Sequence, residues 1–200
     1  MFYSIVKTVC KFIFTVIFKT RVTGIENVPT EGAVIVAANH LSNWDPPFLG
    51  TFLPREISYM AKEELFKNPI FSAAIKSLHA FSVKRGTADK TAIKHAIKLL
   101  KEGQCLGIFP EGTRSKTGEL GKAEAGIGLI TAMAKAPVIP AAIINTNKIF
   151  GEKMFPTLGL VYGKPMYFTG NIKDKEALAD FSQAIMTEIK ALQDKYKTNN

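Results

Sequence analysis

His40 and Asp45 are the residues of this sequence whose types and spacing most clearly suggest chemistry. An imidazole can take a proton from a hydroxyl group, and a neighbouring carboxylate fixes its tautomer and stabilises the imidazolium. On one continuous helix the two side chains would lie about 140° apart and could not meet. They can meet if the chain turns after His40 and a helix begins near Asp45, with Asp45 as the N-cap and Pro46 at the first position. Spacing alone leaves an alternative open, in which Asp45 only caps that helix and His40 is a turn residue.

Two further loops carry polar groups suited to binding an anion. One follows the apolar run 80–83 and the other follows the apolar run 105–109. The candidate substrate-binding residues in these loops are Lys84, Arg85, Glu111, Gly112, Thr113 and Arg114. Arginine binds phosphate in a bidentate manner, and loop amides that lead into a helix favour anions. Taken singly, Lys84-Arg85 could be a solvated charge pair and Glu111-Gly112 a simple turn.

Apolar runs that alternate with amphipathic segments indicate the elements that position these loops. The sequence predicts strands over 21–24, 33–38, 57–61, 80–83, 105–109 and 137–144, with strand-like segments over 158–161 and 166–168. It predicts helices over 46–53, 63–79 with a break at 68–69, 88–102, 122–134 and 173–196. This alternation favours an α/β fold, a single domain whose mostly parallel central sheet is flanked by helices. Ligands bind such sheets at the carboxyl ends of the strands, so we expect the three loops to converge there.

The first twenty residues form a second informative segment. On a helix its polar side chains fall within about 120° of one another, and Phe, Ile and Val occupy the remaining face. Lys7 and Lys11 interrupt any apolar membrane span, so a helix lying among anionic lipid head groups is expected. A core helix of a soluble domain is the alternative. The expected organisation is therefore a membrane-binding helix over 1–20 and an α/β domain over 21–200.

Composition narrows the classes of partner. The formal net charge is +9 over 200 residues, which suits nucleic acid, an anionic membrane or an acidic ligand. Phenylalanines cluster at the N-terminus and do not alternate with basic residues, which argues against a base-stacking surface. Cys10 and Cys105 are far apart in apolar segments and are expected to be reduced, buried thiols, and no cysteine or histidine cluster suggests a metal. No nucleophile motif or nucleotide-binding glycine loop is present, so an acyl-enzyme route has no evident nucleophile.

Four blocks of the sequence, taken in order, resemble the glycerolipid acyltransferase family, and specifically its bacterial 1-acyl-glycerol-3-phosphate (lysophosphatidic acid) acyltransferases. The blocks are Asn39-His40-x4-Asp45 and residues 81–86, 109–115 and 138–141. A lone H-x4-D spacing is weak, whereas four blocks in the family's order are specific.

The resemblance implies transfer of a fatty acyl group to the 2-hydroxyl of lysophosphatidic acid, which gives phosphatidic acid in phospholipid biosynthesis. The implied donor is a thioester of coenzyme A or of acyl-carrier protein. His40, held by Asp45, would deprotonate the hydroxyl, and the oxygen would attack the thioester directly without an acyl-enzyme. The positions of Arg85, Glu111, Gly112 and Arg114 match those linked to the acceptor in the family. We expect Arg85 and Arg114 to bind the phosphate and Glu111 to orient Arg114 or a hydroxyl.

The same resemblance implies neither a metal nor a bound cofactor. The expected location is the cytoplasmic face of the cell membrane, with peripheral or monotopic attachment. Two alternatives keep part of this interpretation: the same chemistry on glycerol 3-phosphate or another lysolipid, and a non-catalytic protein that binds anionic lipid. The complete His-Asp pair argues against the second. Nucleic-acid binding is the weakest alternative.

Overall fold

A computed structural model describes residues 2–84, 86, 89–151 and 154–198. Its strands are β1 (Arg21–Thr23), β2 (Val34–Ala38), β3 (Ser58–Lys62), β4 (Ala80–Val83), β5 (Cys105–Ile108), β6 (Val138–Ile144) and β7 (Gly159–Tyr162). Its α-helices are α1 (Phe2–Phe12), α2 (Asp45–Phe52), α3 (Pro69–Ser77), α4 (Lys90–Lys101), α5 (Gly126–Ala134) and α6 (Lys175–Thr198). A π-helical turn (Ile13–Ile17) follows α1, and short 3-10 turns cover Ile25–Asn27, Glu63–Phe66 and Thr146–Lys148.

The strands form one sheet in the order β1-β7-β6-β2-β5-β3-β4. All neighbouring pairs are parallel except β6 and β7, which are antiparallel. The predicted α/β class with a mostly parallel sheet is therefore confirmed. The strand-like segment 166–168 forms only an isolated bridge, between Met166 and Val138.

Strand order decides which of the three loops lie together. β2 is hydrogen-bonded to β5 on one side and to β6 on the other. The loops that follow β2, β5 and β6 therefore meet beyond the carboxyl ends of these strands. β4 is the third strand from β2, about 14 Å away at roughly 4.8 Å per strand. Lys84, at the end of β4, thus begins farther from His40 than the other candidates.

β2 is buried on both faces, which is why its sequence is apolar throughout. Val34, Val36 and Ala38 pack into one core, and Ile35 and Ala37 pack into the other. A strand held from both sides has little freedom at its end. The residues that follow it, Asn39 and His40, are consequently well anchored.

The N-terminal segment packs on this domain through one face. Phe14 lies in the core, with its ring centroid 5.0 Å from that of Phe48 on α2. Lys7 Nζ donates a hydrogen bond to the Leu53 carbonyl at the end of α2 (2.7 Å), and burial lowers the pKa of Lys7. The prediction that Lys7 lies among lipid head groups is therefore wrong. Among the described residues, no helix combines the length and apolarity needed to cross a bilayer.

The contact between α5 and α6 is close enough to require a glycine. A Cβ at Gly128 would lie 2.3 Å from the Leu178 carbonyl oxygen, whereas a Cβ at Gly126 would meet nothing within 4 Å. The backbone amide of Gly128 also donates to Ser182 Oγ (3.2 Å). These two glycines on one helix provide a matched test of the packing.

Gly128→Ala is expected to lower the free energy of unfolding by about 1–3 kcal/mol, because the helices must separate to admit the methyl group. Gly126→Ala should change it by less than about 0.5 kcal/mol. Urea denaturation of both variants measures the difference. Equal losses would contradict the close contact between α5 and α6.

Candidate active site

The His40–Asp45 contact is present. His40 Nδ1 lies 2.7 Å from Asp45 Oδ2, and the two side chains are 8% and 0% exposed. Helix α2 begins at Asp45 itself, and Trp44 occupies the N-cap position without a side-chain cap. The expectation that Asp45 is the N-cap is wrong, because its carboxylate turns back toward the loop and not toward the helix amides. The alternative that Asp45 only caps the helix falls with it.

The buried Asp45 carboxylate is fully surrounded by donors. Oδ2 accepts the backbone amides of Leu41 (2.5 Å) and Ser42 (2.7 Å) as well as the imidazole. Oδ1 accepts the hydroxyl of Thr146, with a longer contact from Ser42 Oγ. Charge-assisted hydrogen bonds of this kind offset the cost of burying an ion. Because this carboxylate acts as an acceptor, His40 Nδ1 carries the hydrogen, and Nε2 keeps its lone pair.

His40 Nε2 is the atom of the ring that is open to a substrate. It has no hydrogen-bond partner among the described residues. The atom is not buried either, so solvent reaches it. The imidazole stacks on Phe109, with ring centroids 4.1 Å apart and planes 19° apart. Phe109 in turn stacks near Tyr59, whose hydroxyl donates to the Pro46 carbonyl (2.9 Å). Asp45 and Phe109 therefore fix the ring in an orientation that leaves Nε2 able to accept a proton.

Glu111 holds the backbone of His40. Its Oε1 accepts the His40 amide (2.9 Å) and its Oε2 accepts the Gly121 amide (3.0 Å). The Ser115 amide donates to the His40 carbonyl (2.8 Å), so the loop after β5 binds His40 on both sides. The expectation that Glu111 orients Arg114 or a hydroxyl is not what the structure shows. Adjacent parallel strands bring the two loops together, and the nearest donors for this carboxylate are amides.

The turn that carries Glu111 depends on Gly112. Its φ is +66°, and a Cβ there would lie 3.1 Å from Glu124 Cγ. Its amide donates to the Phe109 carbonyl (3.0 Å), which closes the turn directly after β5. A side chain at this position would strain the backbone and press on Glu124. Gly112 therefore serves the shape of the loop.

The cations of the predicted anion pocket are placed unequally. Arg114 is exposed, and its Nη1 donates to Asn43 Oδ1 in the turn between His40 and Asp45 (2.9 Å). Thr113 is exposed beside it. Lys84 directly follows the edge strand β4, and there its Nζ is 3.9 Å from Glu63 Oε1 and its amide donates to Asp89 Oδ2. Arg85, the other predicted phosphate ligand, lies outside the described residues.

Sequence reasoning missed two residues that position the pair. Asn39 is fully buried and bonds both backbone groups of Ile143, donating to its carbonyl (2.9 Å) and accepting from its amide (2.7 Å). It thereby extends the β2–β6 pairing by one side chain. Thr146, which bonds Asp45, is also buried, two residues beyond the end of β6. The polar pair Asn145-Thr146 after an apolar strand is the signal that could have found it.

Neither cysteine offers a reactive thiolate. Burial raises the pKa of Cys105 to about 12, and burial also raises the pKa of the half-buried Cys10. Over the described ranges there is no group of three or more His, Cys, Asp or Glu side chains that could hold a metal ion.

Residues 19–144 match the Acyltransferase family. The chain is 36% identical to the 1-acyl-sn-glycerol-3-phosphate acyltransferase of Bacillus subtilis, over 96% of this chain and 98% of that protein. It is 33% identical to the enzyme of the same name from Pseudomonas aeruginosa, over 82% of this chain and 64% of that protein. The crystal structure of the 1-acyl-sn-glycerophosphate (LPA) acyltransferase PlsC from Thermotoga maritima superposes with a TM-score of 0.72 and 28% identity, over 94% of this chain and 80% of that one.

Thr146→Val tests the support of the Asp45 carboxylate. Losing this donor should lower the free energy of unfolding by about 1–3 kcal/mol and should also lower kcat, because the pair loosens. Thr131→Val is the matched control: its buried hydroxyl donates to the Ile127 carbonyl on α5, away from the site. The control should lose stability and retain kcat. Equal effects of the two substitutions on kcat would refute the positioning role of Thr146.

Proposed function

Because this chain belongs to the acyltransferase family, we propose that it transfers a fatty acyl group from an acyl thioester to the 2-hydroxyl of 1-acyl-glycerol 3-phosphate. The product is phosphatidic acid, and the role is phospholipid biosynthesis. Proteins named 1-acyl-sn-glycerol-3-phosphate acyltransferase are similar to most of this chain. The observation that carries the proposal is the accessible Nε2 of a histidine whose other nitrogen is bound by a buried carboxylate.

In the first step, His40 Nε2 removes the proton of the acceptor hydroxyl as its oxygen attacks the thioester carbonyl carbon. Asp45 stabilises the imidazolium that forms, and its own amide and hydroxyl donors hold the carboxylate in place beside the ring. Phe109 covers one face of the ring, which keeps Nε2 aimed at the acceptor. A positioned general base of this kind contributes about 10²–10⁴ to the rate.

In the second step, the tetrahedral intermediate collapses and the carbon–sulfur bond breaks. The thiolate leaves and takes the proton from His40, which returns to its neutral form. The acyl group is then an ester on the former 2-hydroxyl oxygen. The two steps balance in charge and atoms without a covalent enzyme intermediate. The described thiols are protonated and do not act as nucleophiles.

Arg114 is the described cation best placed for the acceptor phosphate. It sits one residue before Ser115, whose amide bonds the His40 carbonyl, so its side chain starts beside the base. Only one of its donors has a partner in the described structure, and its exposure leaves the others for a phosphate. Arg85 stays assigned to the phosphate as the resemblance implies, Lys84 and Thr113 are assigned a supporting part in acceptor binding, and Gly112 shapes the loop.

The donor is a thioester of coenzyme A or of acyl-carrier protein, and the net charge of +9 suits either of these acidic carriers. No metal or resident cofactor enters this mechanism. The enzyme would meet its lipid at the cytoplasmic face of the cell membrane, by peripheral or monotopic attachment.

Helix α1 supports attachment to a membrane surface because it has three different faces. Its protein-facing residues are Tyr3, Val6, Lys7 and Cys10, its outward polar residues are Ser4, Thr8 and Lys11, and its outward apolar residues are Phe2, Ile5, Val9 and Phe12. The outward apolar residues fall within about 80° of one another on a helix. Such an exposed apolar stripe beside lysines suits an anionic bilayer surface.

His40→Ala should reduce acyl transfer from a thioester by roughly 10²–10⁴-fold while leaving the fold intact. The assay is thiol release with lysophosphatidic acid as acceptor and with both carrier thioesters as donors. His95→Ala, on the exposed face of α4, is the control and should stay near the unmodified rate. Near-normal turnover in purified, folded His40→Ala would refute the assignment of His40 as the base. A panel of acceptors in the same assay identifies the preferred lipid.

Arg114→Ala and Glu111→Gln should fail in different ways. Loss of the guanidinium should raise the acceptor KM roughly 10- to 100-fold, since a charge-assisted contact contributes about 1.5–3 kcal/mol. Glu111→Gln replaces an oxygen facing an amide with a donor, so it should lower kcat with little change in acceptor KM. An unchanged acceptor KM in Arg114→Ala would remove this residue from the phosphate site.

The exposed face of α1 can be tested without disturbing the core, which deletion of residues 1–20 would do by removing Phe14 and Phe18. The double variant Val9→Ser and Phe12→Ser should sediment less with anionic vesicles, because binding scales with the apolar area buried. Ile70→Ser, an exposed apolar position on α3, is the control. Equal sedimentation of both proteins would refute a membrane role for this face.

A further inference from the structure

A cluster of exposed aromatic side chains lies beside the active site. Trp44, Phe150 and Phe155, here called the aromatic rim, are 43%, 65% and 55% exposed. Single exposed apolar residues are common on protein surfaces, but several large ones side by side usually mark a binding surface. None of the three has a role in the mechanism above.

Ring contacts show that the aromatic rim is one patch. Phe150 lies 6.2 Å from Trp44, between ring centroids. The buried ring of Phe18 lies beneath the patch, 6.3 Å from Phe150 and 6.0 Å from Phe155. The three exposed rings therefore share a common base and present one apolar surface.

The aromatic rim continues the outward apolar face of the N-terminal segment. Phe18 directly follows Val16 and Ile17, which are both exposed. The patch thus extends from α1 to the carboxyl ends of the strands, where the active site lies. A surface that docked through α1 alone would leave this extension in water.

The aromatic rim is also tied to the catalytic pair. Trp44 lies in the turn that joins His40 to Asp45. Phe150 lies four residues beyond Thr146, whose hydroxyl bonds Asp45. Whatever covers the aromatic rim therefore contacts the segments that hold the base.

The backbone of Phe150 is unfavourable in the chain by itself. Its φ is +57°, a left-handed conformation that is uncommon for a bulky side chain. This conformation costs free energy, and the ring it carries is left mostly in water. A partner that removes the ring from water would offset both costs.

We propose that the aromatic rim inserts, together with the outward face of α1, into the head-group and upper acyl region of a bilayer that contains anionic phospholipid. This inference rests on the proposed function, in which the acceptor is a membrane lipid. Exposed cations flank the patch: Lys11 and Lys19 on the N-terminal segment and Arg114 beside Asn43. No acidic residue precedes Glu26. An apolar surface bordered by cations matches a bilayer better than it matches a second copy of this basic chain.

Insertion in this manner brings the turn between His40 and Asp45 to the lipid surface. The acceptor hydroxyl would then reach Nε2 from the membrane while the thioester approaches from water. The aromatic rim is thus assigned the orientation of the enzyme on the bilayer, and α1 alone is not sufficient for it.

The unmodified protein provides the test, because Trp44 is the only tryptophan. Its emission should shift to shorter wavelength on addition of vesicles of phosphatidylcholine and phosphatidylglycerol. Lipids brominated on the acyl chains should quench it. Phe150→Ala should weaken vesicle partition about tenfold, or about 1.4 kcal/mol. The control is Tyr167→Ala, whose side chain is also 65% exposed. Tyr167 follows Met166, which pairs with the start of β6, so it lies at the end of the strands opposite to the active site. The vesicle partition of this variant should not change.

Two results would overturn the proposal. One is an unquenched Trp44 in protein that sediments with the vesicles, which would mean that α1 docks alone. The other is a shift of Trp44 emission with protein concentration in the absence of lipid, which would mean that a second copy covers the aromatic rim.

An assay with a short-chain, water-soluble acceptor separates this inference from the proposed function. Phe150→Ala should keep the unmodified rate there and lose rate only on vesicles. Quenching of Trp44 without any acyl transfer would refute the proposed function and support insertion of the aromatic rim. Acyl transfer on vesicles without quenching would support the proposed function and refute insertion of the aromatic rim.

Discussion

The buried carboxylate of Asp45 is the constraint on which the rest of the site depends. An ion with no exposed surface requires a full set of donors, and it finds them in the imidazole, in two amides of the same turn and in the hydroxyl of Thr146. These donors come from the segments after β2 and β6. Satisfying one charge therefore fixes the turn, the tautomer of His40 and the approach of a second loop, so that stability and chemistry share the same hydrogen bonds.

The central position of β2 explains how this network is built. The strand is buried on both faces and pairs with β5 and β6. Glu111 arrives from the β5 side and binds the His40 amide, while Asn39 reaches to the β6 side and pairs with Ile143. The loop that the sequence predicted to bind an anion therefore also holds His40. Glu111 binds the His40 amide, Gly112 shapes the turn, and Arg114 is exposed.

The N-terminal segment joins the interior of the protein to its surface. Phe14 and Phe18 complete the core, and Lys7 bonds the end of α2. The opposite face of α1 stays apolar in solvent and leads to the rings around Phe150. A core helix and an interfacial helix were alternatives in the sequence. In the structure, α1 packs one face on the domain and leaves an apolar stripe in solvent. The polar stripe read from a helical wheel was partly wrong for the same reason, since Lys7 points at the domain.

Local sequence patterns were enough to predict most of the elements and to single out His40 and Asp45 as a candidate pair. Periodicity and apolar runs located the strands and helices, because burial on both faces leaves a pattern that local residues carry. Spacing allowed a contact between His40 and Asp45 but left a helix cap as an alternative. The two neighbouring loops and the family resemblance favoured the contact, which the structure contains. Tertiary structure alone decided the partners of Glu111 and Asp45, since strand order brings Thr146 and the loop after β5 to His40 across more than seventy residues of chain. It also decided the distance of Lys84 from His40, because β4 is the outermost strand of the sheet, and no local pattern encodes strand order.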